Sequence, residues 1–113
     1  MTNVIINIQF SALHSWPGCN LEEVLYLKNS HRHLFHVRMK WKVTHDDRDI
    51  EFIRMKMKVD KHLAEEWENY DLGAWSCEHI CKELAKKFKA DYVRVMEDGE
   101  NGVEYFPEED VSL

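Results

Sequence analysis

"SHRHLFHVRMKWKV", residues 30–43, alternates between two kinds of side chain. In a β-strand residues i and i+2 share a face. His31 and His33 therefore fall on one face with Phe35, Val37, Met39, Trp41 and Val43. The other face carries Arg32, His36, Arg38, Lys40 and Lys42, with Leu34 its one apolar member. One face belongs to a core and the other to water. The two histidines are then either half of a metal site on a buried face or polar residues where a core strand reaches solvent.

Upstream, "VIINIQFSALH" alternates in the same way and sets Ile6, Ile8, Phe10, Ala12 and His14 on one face of a first strand. "SWPGCN" breaks it, and "LEEVLYLK" predicts about two helical turns before the second strand. "HDDRD" is a polar turn, and "IEF" after it reads as a short edge segment. From Phe52 to Trp67 the period changes: Phe52, Met55, Val59, Leu63 and Trp67 recur at helical spacing. "ENYDLGAW" is a loop, and Ser76 is placed as the N-cap of a second helix with Cys77, Ile80, Cys81, Leu84 and Phe88 along one stripe. "DYVRVMED" and "VEYF" are a third and a fourth strand, joined by the turn dipeptides of "EDGENG", and the acidic tail frays.

Two strands, two helices and two strands make an α+β arrangement: a four-stranded antiparallel sheet covered on one face by two helices, in one domain spanning residues 1–113. If the first two strands pair antiparallel, the end of one meets the start of the other. His14, His31 and His33 then converge at one edge of the core. Three imidazoles with an open fourth position suit catalytic zinc.

The net charge of −6 argues against a general nucleic-acid binder, because the phosphate backbone demands a cationic partner. No segment has the length of apolar sequence that a membrane helix needs. The start lacks the basic and long apolar regions of a signal peptide, and three cysteines at no disulfide-like spacing fit a reducing compartment. The expected location is the cytoplasm.

"FSALH", then "HRH" at a strand start, resembles the pyruvoyl-tetrahydropterin and carboxy-tetrahydropterin synthase family. That family's first strand carries Phe-x-Ala-x-His and its second opens with His-Gly-His. Phe10, Ala12 and His14 match the first motif, and His31 and His33 the second, with Arg32 in place of the glycine. "SCEHICKEL" resembles the family's Thr-x-Glu-Asn-Leu helix start, and "VRVMED" its Val-x-Val-x-Glu-Thr strand end. The resemblance implies the tunnelling fold and a zinc ion on the three histidines. It implies a pterin-like or purine-like ligand held by Glu97, with Glu78, Cys77 and Ser76 in the binding wall. It also implies a pocket between subunits of a homo-oligomer (a hexamer or trimer), and lyase chemistry in a tetrahydrobiopterin- or queuosine-type pathway. The sequence departs from the family at the proton-transfer groups. No cysteine stands just before "HRH", so Cys19 is the distant candidate, and the loop between the helices holds Asp71 without the family's histidine. These losses motivate an alternative: a binding protein that captures the ligand without turnover.

Overall fold

The computed structural model describes residues 1–110; Val111 to Leu113, at the end of the acidic tail, lie outside the described residues. Strand β1 (Asn3–His14) pairs antiparallel with β2 (His31–Lys42), β2 with β3 (Tyr92–Glu97) and β3 with β4 (Asn101–Tyr105). The sheet order is β1-β2-β3-β4, so the edges are β1 and β4. Helices α1 (Phe52–Glu66) and α2 (Cys77–Phe88) lie between β2 and β3 in sequence and cover one face, α1 over β1 and α2 over β3 and β4. This is the expected ββααββ arrangement.

The alternation works as the period of two requires. Ile6, Ile8, Phe10 and Ala12 from β1 meet Phe35, Val37, Met39 and Trp41 from β2, all buried, against Val93 and Val95 of β3. Each large side chain removed from water contributes about 1.5–3 kcal/mol. Arg38 and Lys40 stay partly solvated on the opposite face, which antiparallel sheets tolerate.

Helix α2 follows its sequence closely. The Ser76 hydroxyl accepts a hydrogen bond from the His79 N–H at 3.1 Å, and Cys77, Ile80, Cys81 and Leu84 are buried along one stripe. The chain leaves the helix through Lys89 in the left-handed region (φ 54°). Three local readings need correction. "IEF" is not an edge strand: the Glu51 carboxylate accepts from the N–H groups of Ile53 and Arg54 and starts α1 at Phe52. Phe52 is exposed, so the buried stripe of α1 consists of Val59 and Leu63, continued by Trp67. "LEEVLYLK" forms a 3-10 helix over Glu22–Lys28. The described part of the tail makes a short 3-10 turn over Pro107–Glu109.

Candidate metal centre and ligand cavity

The β1–β2 register places His14 directly opposite His31 and Ala12 opposite His33. The three imidazoles are therefore neighbours on the helix-covered face, where the ladder runs out of apolar side chains. His14 is buried, while His31 and His33 are half-buried. Ring centroids lie 4.6 Å apart for His14 and His31, 4.9 Å for His31 and His33 and 5.3 Å for His14 and His33, each pair edge to face. One ring nitrogen from each residue falls within 4.8 Å of the others.

Each ring is fixed through Nδ1. The His14 Nδ1 is 2.8 Å from the Trp75 carbonyl, and the His31 Nδ1 is 2.7 Å from the Asn29 carbonyl. The His33 Nδ1 is 2.7 Å from Oδ2 of Asp98. A carbonyl or carboxylate oxygen only accepts, so in each case Nδ1 carries a hydrogen, and in the neutral ring Nε2 is the nitrogen that offers a lone pair. Metal-binding histidines are oriented in this manner by an acceptor behind the ring. The Nε2 atoms of His14 and His33 are buried and have no hydrogen-bond partner among the described residues. A cation at their meeting point would satisfy them, and the donor set of three neutral imidazoles fits zinc.

The supporting acceptors come from three different loops. The segment between the helices runs along the free edge of β1: the Leu13 N–H donates to the Tyr70 carbonyl, and the Leu72 N–H to the Leu13 carbonyl. That path delivers the Trp75 carbonyl to His14. Asp71 shapes the turn by accepting the Gly73 N–H at 2.8 Å. Asn29 ends the 3-10 helix next to His31, its N–H held by the Tyr26 carbonyl. Asp98 occupies the β3–β4 turn with φ 56°, followed by Gly99 at φ 74°. There the Asp98 N–H donates to the Leu34 carbonyl, and Oδ1 of Asp98 accepts the Leu34 N–H. The turn is thus fastened to β2 beside His33, and the hydrogen bonds from His33 and the Leu34 N–H hold the Asp98 carboxyl below its ordinary range.

Glu97 shares the helix-covered face with Val93 and Val95 and sits opposite Phe35 in the register. Its Oε2 lies 3.0 Å from Nε2 of His14 and 3.7 Å from Nε2 of His33. Contact with Glu97 raises the His14 pKa above that of a free imidazole, with burial opposing, and contact with His14 lowers the Glu97 pKa. The Cys77 thiol faces the same Oε2 at 3.7 Å. Burial, reinforced by Glu97, pushes that thiol up to about 12, so it remains protonated at neutral pH.

A cavity of about 370 Å³ opens beside His14, His31 and Glu97. Trp75, Ser76, Cys77 and Glu78 form the wall supplied by the start of α2, and Trp16, Leu27 and Val103 add apolar surface. The candidate residues thus divide. His14, His31, His33 and Glu97 converge, and Ser76, Cys77 and Glu78 line the adjoining space. Cys19 is elsewhere: buried under the 3-10 helix, with its thiol directed at the carbonyls of Val24 and Leu21 at 3.6 and 3.9 Å. Asp71 has its carboxylate turned to Gly73 and does not line the cavity. Asp98 and the carbonyls of Trp75 and Asn29 complete the site, roles that the motif residues did not mark.

No protein-family model and no curated protein matches the sequence. Among solved structures the chain is similar to 6-pyruvoyl tetrahydropterin synthase of Caenorhabditis elegans, with a TM-score of 0.77 over 93% of this chain and 94% of that one. The two are 16% identical. The chain has the tunnelling fold. Within that fold the histidines stand at the end of β1 and the start of β2, and Glu97 ends β3. Among the described residues, no helix of this tunnelling-fold chain is long and apolar enough to cross a membrane.

Proposed function

We propose that the protein holds a zinc ion on His14, His31 and His33 and acts as a lyase of the pterin synthase type on a reduced pterin or purine-derived small molecule. The observation that carries this reading is that all three imidazoles have Nδ1 against an oxygen acceptor and bring one ring nitrogen each within 4.8 Å of the others. Zinc at that point would polarise a hydroxyl or carbonyl oxygen of the ligand and acidify the adjacent C–H. The chain's own residues supply the rest. The cavity is of the size that takes a small ring system. Its indole and aliphatic surfaces exclude water from the faces of the ring, while Ser76 and Glu78 offer polar groups at the rim. A Glu97 carboxylate turned towards the cavity can accept two parallel N–H bonds from a 2-amino-4-oxo pyrimidine edge.

A second reading, capture without turnover, is favoured by the state of the proton-transfer candidates. Cys77 holds its proton up to about 12. Cys19 is closed off beneath the 3-10 helix, and Asp71 is bound to its own turn. General acid–base catalysis needs a group within hydrogen-bond reach of the proton it moves. In either reading we assign a cytoplasmic homo-oligomer, a hexamer or trimer. The open backbone edges of β4 and of the first part of β1, before the segment between the helices covers it from Ser11 on, support assembly, because an edge strand is a template for pairing with another chain.

The test begins with zinc per subunit in untagged protein, measured by inductively coupled plasma mass spectrometry, and sedimentation equilibrium of the same sample. The zinc-loaded protein is then incubated with dihydroneopterin triphosphate, related pterins and purine nucleotides. A zinc-dependent product supports the lyase. Tight calorimetric binding without chemical change supports capture. Absence of both removes both readings.

A further inference from the structure

The sheet face away from the helices carries positive charge that its neighbours do not balance. In the register, Asn7, Arg38, Arg94 and Glu104 form one row across the four strands. Arg38 and Arg94 are directly opposite each other on the two central strands, a like-charge pairing that costs a sheet stability. The chain has 21 acidic residues against 15 lysines and arginines. Yet among the described residues the ion pairs of lysine and arginine are Lys42–Glu108, Arg48–Asp47 and Lys82–Asp110, so neither arginine of the row has a carboxylate partner. Glu104, the one acid of the row, instead accepts the Tyr92 hydroxyl at 2.8 Å. The Arg38 Nε–H donates to Oδ1 of Asn7 at 2.8 Å, which leaves both of its terminal nitrogens without hydrogen bonds among the described residues. Nε of Arg94 is buried and has no hydrogen-bond partner. In the neighbouring row Lys40 lies over the Tyr92 ring, 4.6 Å from its centroid.

We infer that the open sheet face binds a small oligophosphate anion, with Arg38 and Arg94 as its two guanidinium ligands and Lys40 as a third cation beside them. A guanidinium presents N–H donors in a planar fork that fits phosphate oxygens in pairs. Neighbouring strands lie about 4.8 Å apart, and residues i and i+2 of one strand about 6.6 Å apart, so the three cations stand within reach of two linked phosphate groups. An anion there relieves the repulsion in the row and gives the open donors acceptors. One carboxylate would neutralise one arginine and leave the other, whereas linked phosphates offer charged oxygens to both. The overall charge of −6 disfavours a long polyanion such as a nucleic acid. Because strand residues alternate between faces, the row lies across the sheet from His31, His33 and Glu97. The inference therefore depends neither on the metal nor on the proposed lyase.

The full chain is titrated calorimetrically with inorganic pyrophosphate and, separately, with ATP, at low ionic strength. Wild type is compared with Arg38→Gln, Arg94→Gln and Arg94→Lys, and with Arg54→Gln, which removes the same charge from an exposed position of α1. Circular dichroism confirms that each variant is folded. The expected result is saturable pyrophosphate binding to wild type, weakened at least ~10-fold by each of the three row variants and unchanged in Arg54→Gln. Pyrophosphate should also raise the melting temperature of wild type and leave that of Arg94→Gln where it is. ATP binding that shares this dependence on the row marks a nucleotide as the source of the phosphates; ATP binding indifferent to the row marks the free anion. Equal weakening by Arg54→Gln would overturn the inference, because overall charge alone would then explain the binding. Wild-type affinity in Arg94→Lys would overturn the guanidinium fork. Absence of pyrophosphate binding to wild type would overturn the site outright, whatever ATP does at the histidine cavity.

Discussion

The helix-covered face of β2 has two halves. Phe35, Val37, Met39 and Trp41 are buried apolar side chains, and β1 supplies apolar partners in register. His31 and His33 continue the same row and meet His14 and Ala12. One backbone period builds both halves, yet their energetics oppose. The apolar half gains by leaving water. The histidine half buries nitrogen atoms without hydrogen-bond partners, and each such group costs about 1–3 kcal/mol. The Glu97 carboxylate beside both nitrogens offsets part of that cost. The strand therefore carries its stability at one end and the proposed metal site at the other.

The largest expected effect probes the apolar half. Phe35→Ala should lower the unfolding free energy by about 3–5 kcal/mol in denaturant titration, since the ring is fully buried and stacks on Phe10. His31→Ala should leave the metal-free stability nearly unchanged while removing bound zinc; equal destabilisation by both variants would dissolve the distinction between the halves. Next comes Asp98→Asn. It retains an oxygen for the Leu34 N–H but takes the charge from behind His33. Zinc affinity should fall about 10–100-fold, or roughly 1.4–2.7 kcal/mol, by chelator competition.

A third measurement separates the core thiol from the site. Burial pushes Cys81 up to about 12, against an ordinary thiol near 9. Between those values the unfolded chain has lost the proton that the folded chain keeps. Stability contributed by this group is fully present below pH ~9 and is lost as pH rises towards 12, by at most about 1.4 kcal/mol per pH unit. Cys81→Ala should remove its share of that alkaline slope in unfolding curves recorded from pH 8 to 10.5, leaving the similar share of Cys77. The smallest effect concerns the cavity wall: Ser76→Ala removes the α2 cap and should cost about 1 kcal/mol, while Ser76→Asp should restore most of it.

Much of this architecture is legible in the sequence because it follows from period. Alternation in β1 and β2 places every core residue of those strands, and antiparallel pairing brings His14 to His31 without further information. Ser76 is recognisable because a hydroxyl residue followed by a stripe at helical spacing is an N-cap. The beginning of α1 is less legible: "IEF" alternates like a strand, and only the folded chain shows the Glu51 carboxylate capping two N–H groups. The periodic stripe also extends one turn beyond the sheet, leaving Phe52 in water. At the candidate site, the three histidines are visible but two of their supports are not, because Trp75 and Asn29 act through backbone carbonyls that any residue possesses. Asp98 is visible only as an acid in a turn. Cys19 is lost to the site for the same reason: its neighbours are carbonyls of the 3-10 helix.

The brace behind His33 lies 65 residues further along the chain, and the one behind His14 lies 61 residues further. Contacts across such separations form only after the intervening chain has been closed into a loop, which makes them late events in folding. A partly synthesised chain that has made only β1 and β2 has the Asn29 carbonyl for His31 but no acceptor yet for His14 or His33. His14 gains its acceptor when the segment between the helices settles along β1, and His33 only when the β3–β4 turn docks. Under the proposed metal reading, tight uptake would therefore mark a finished molecule.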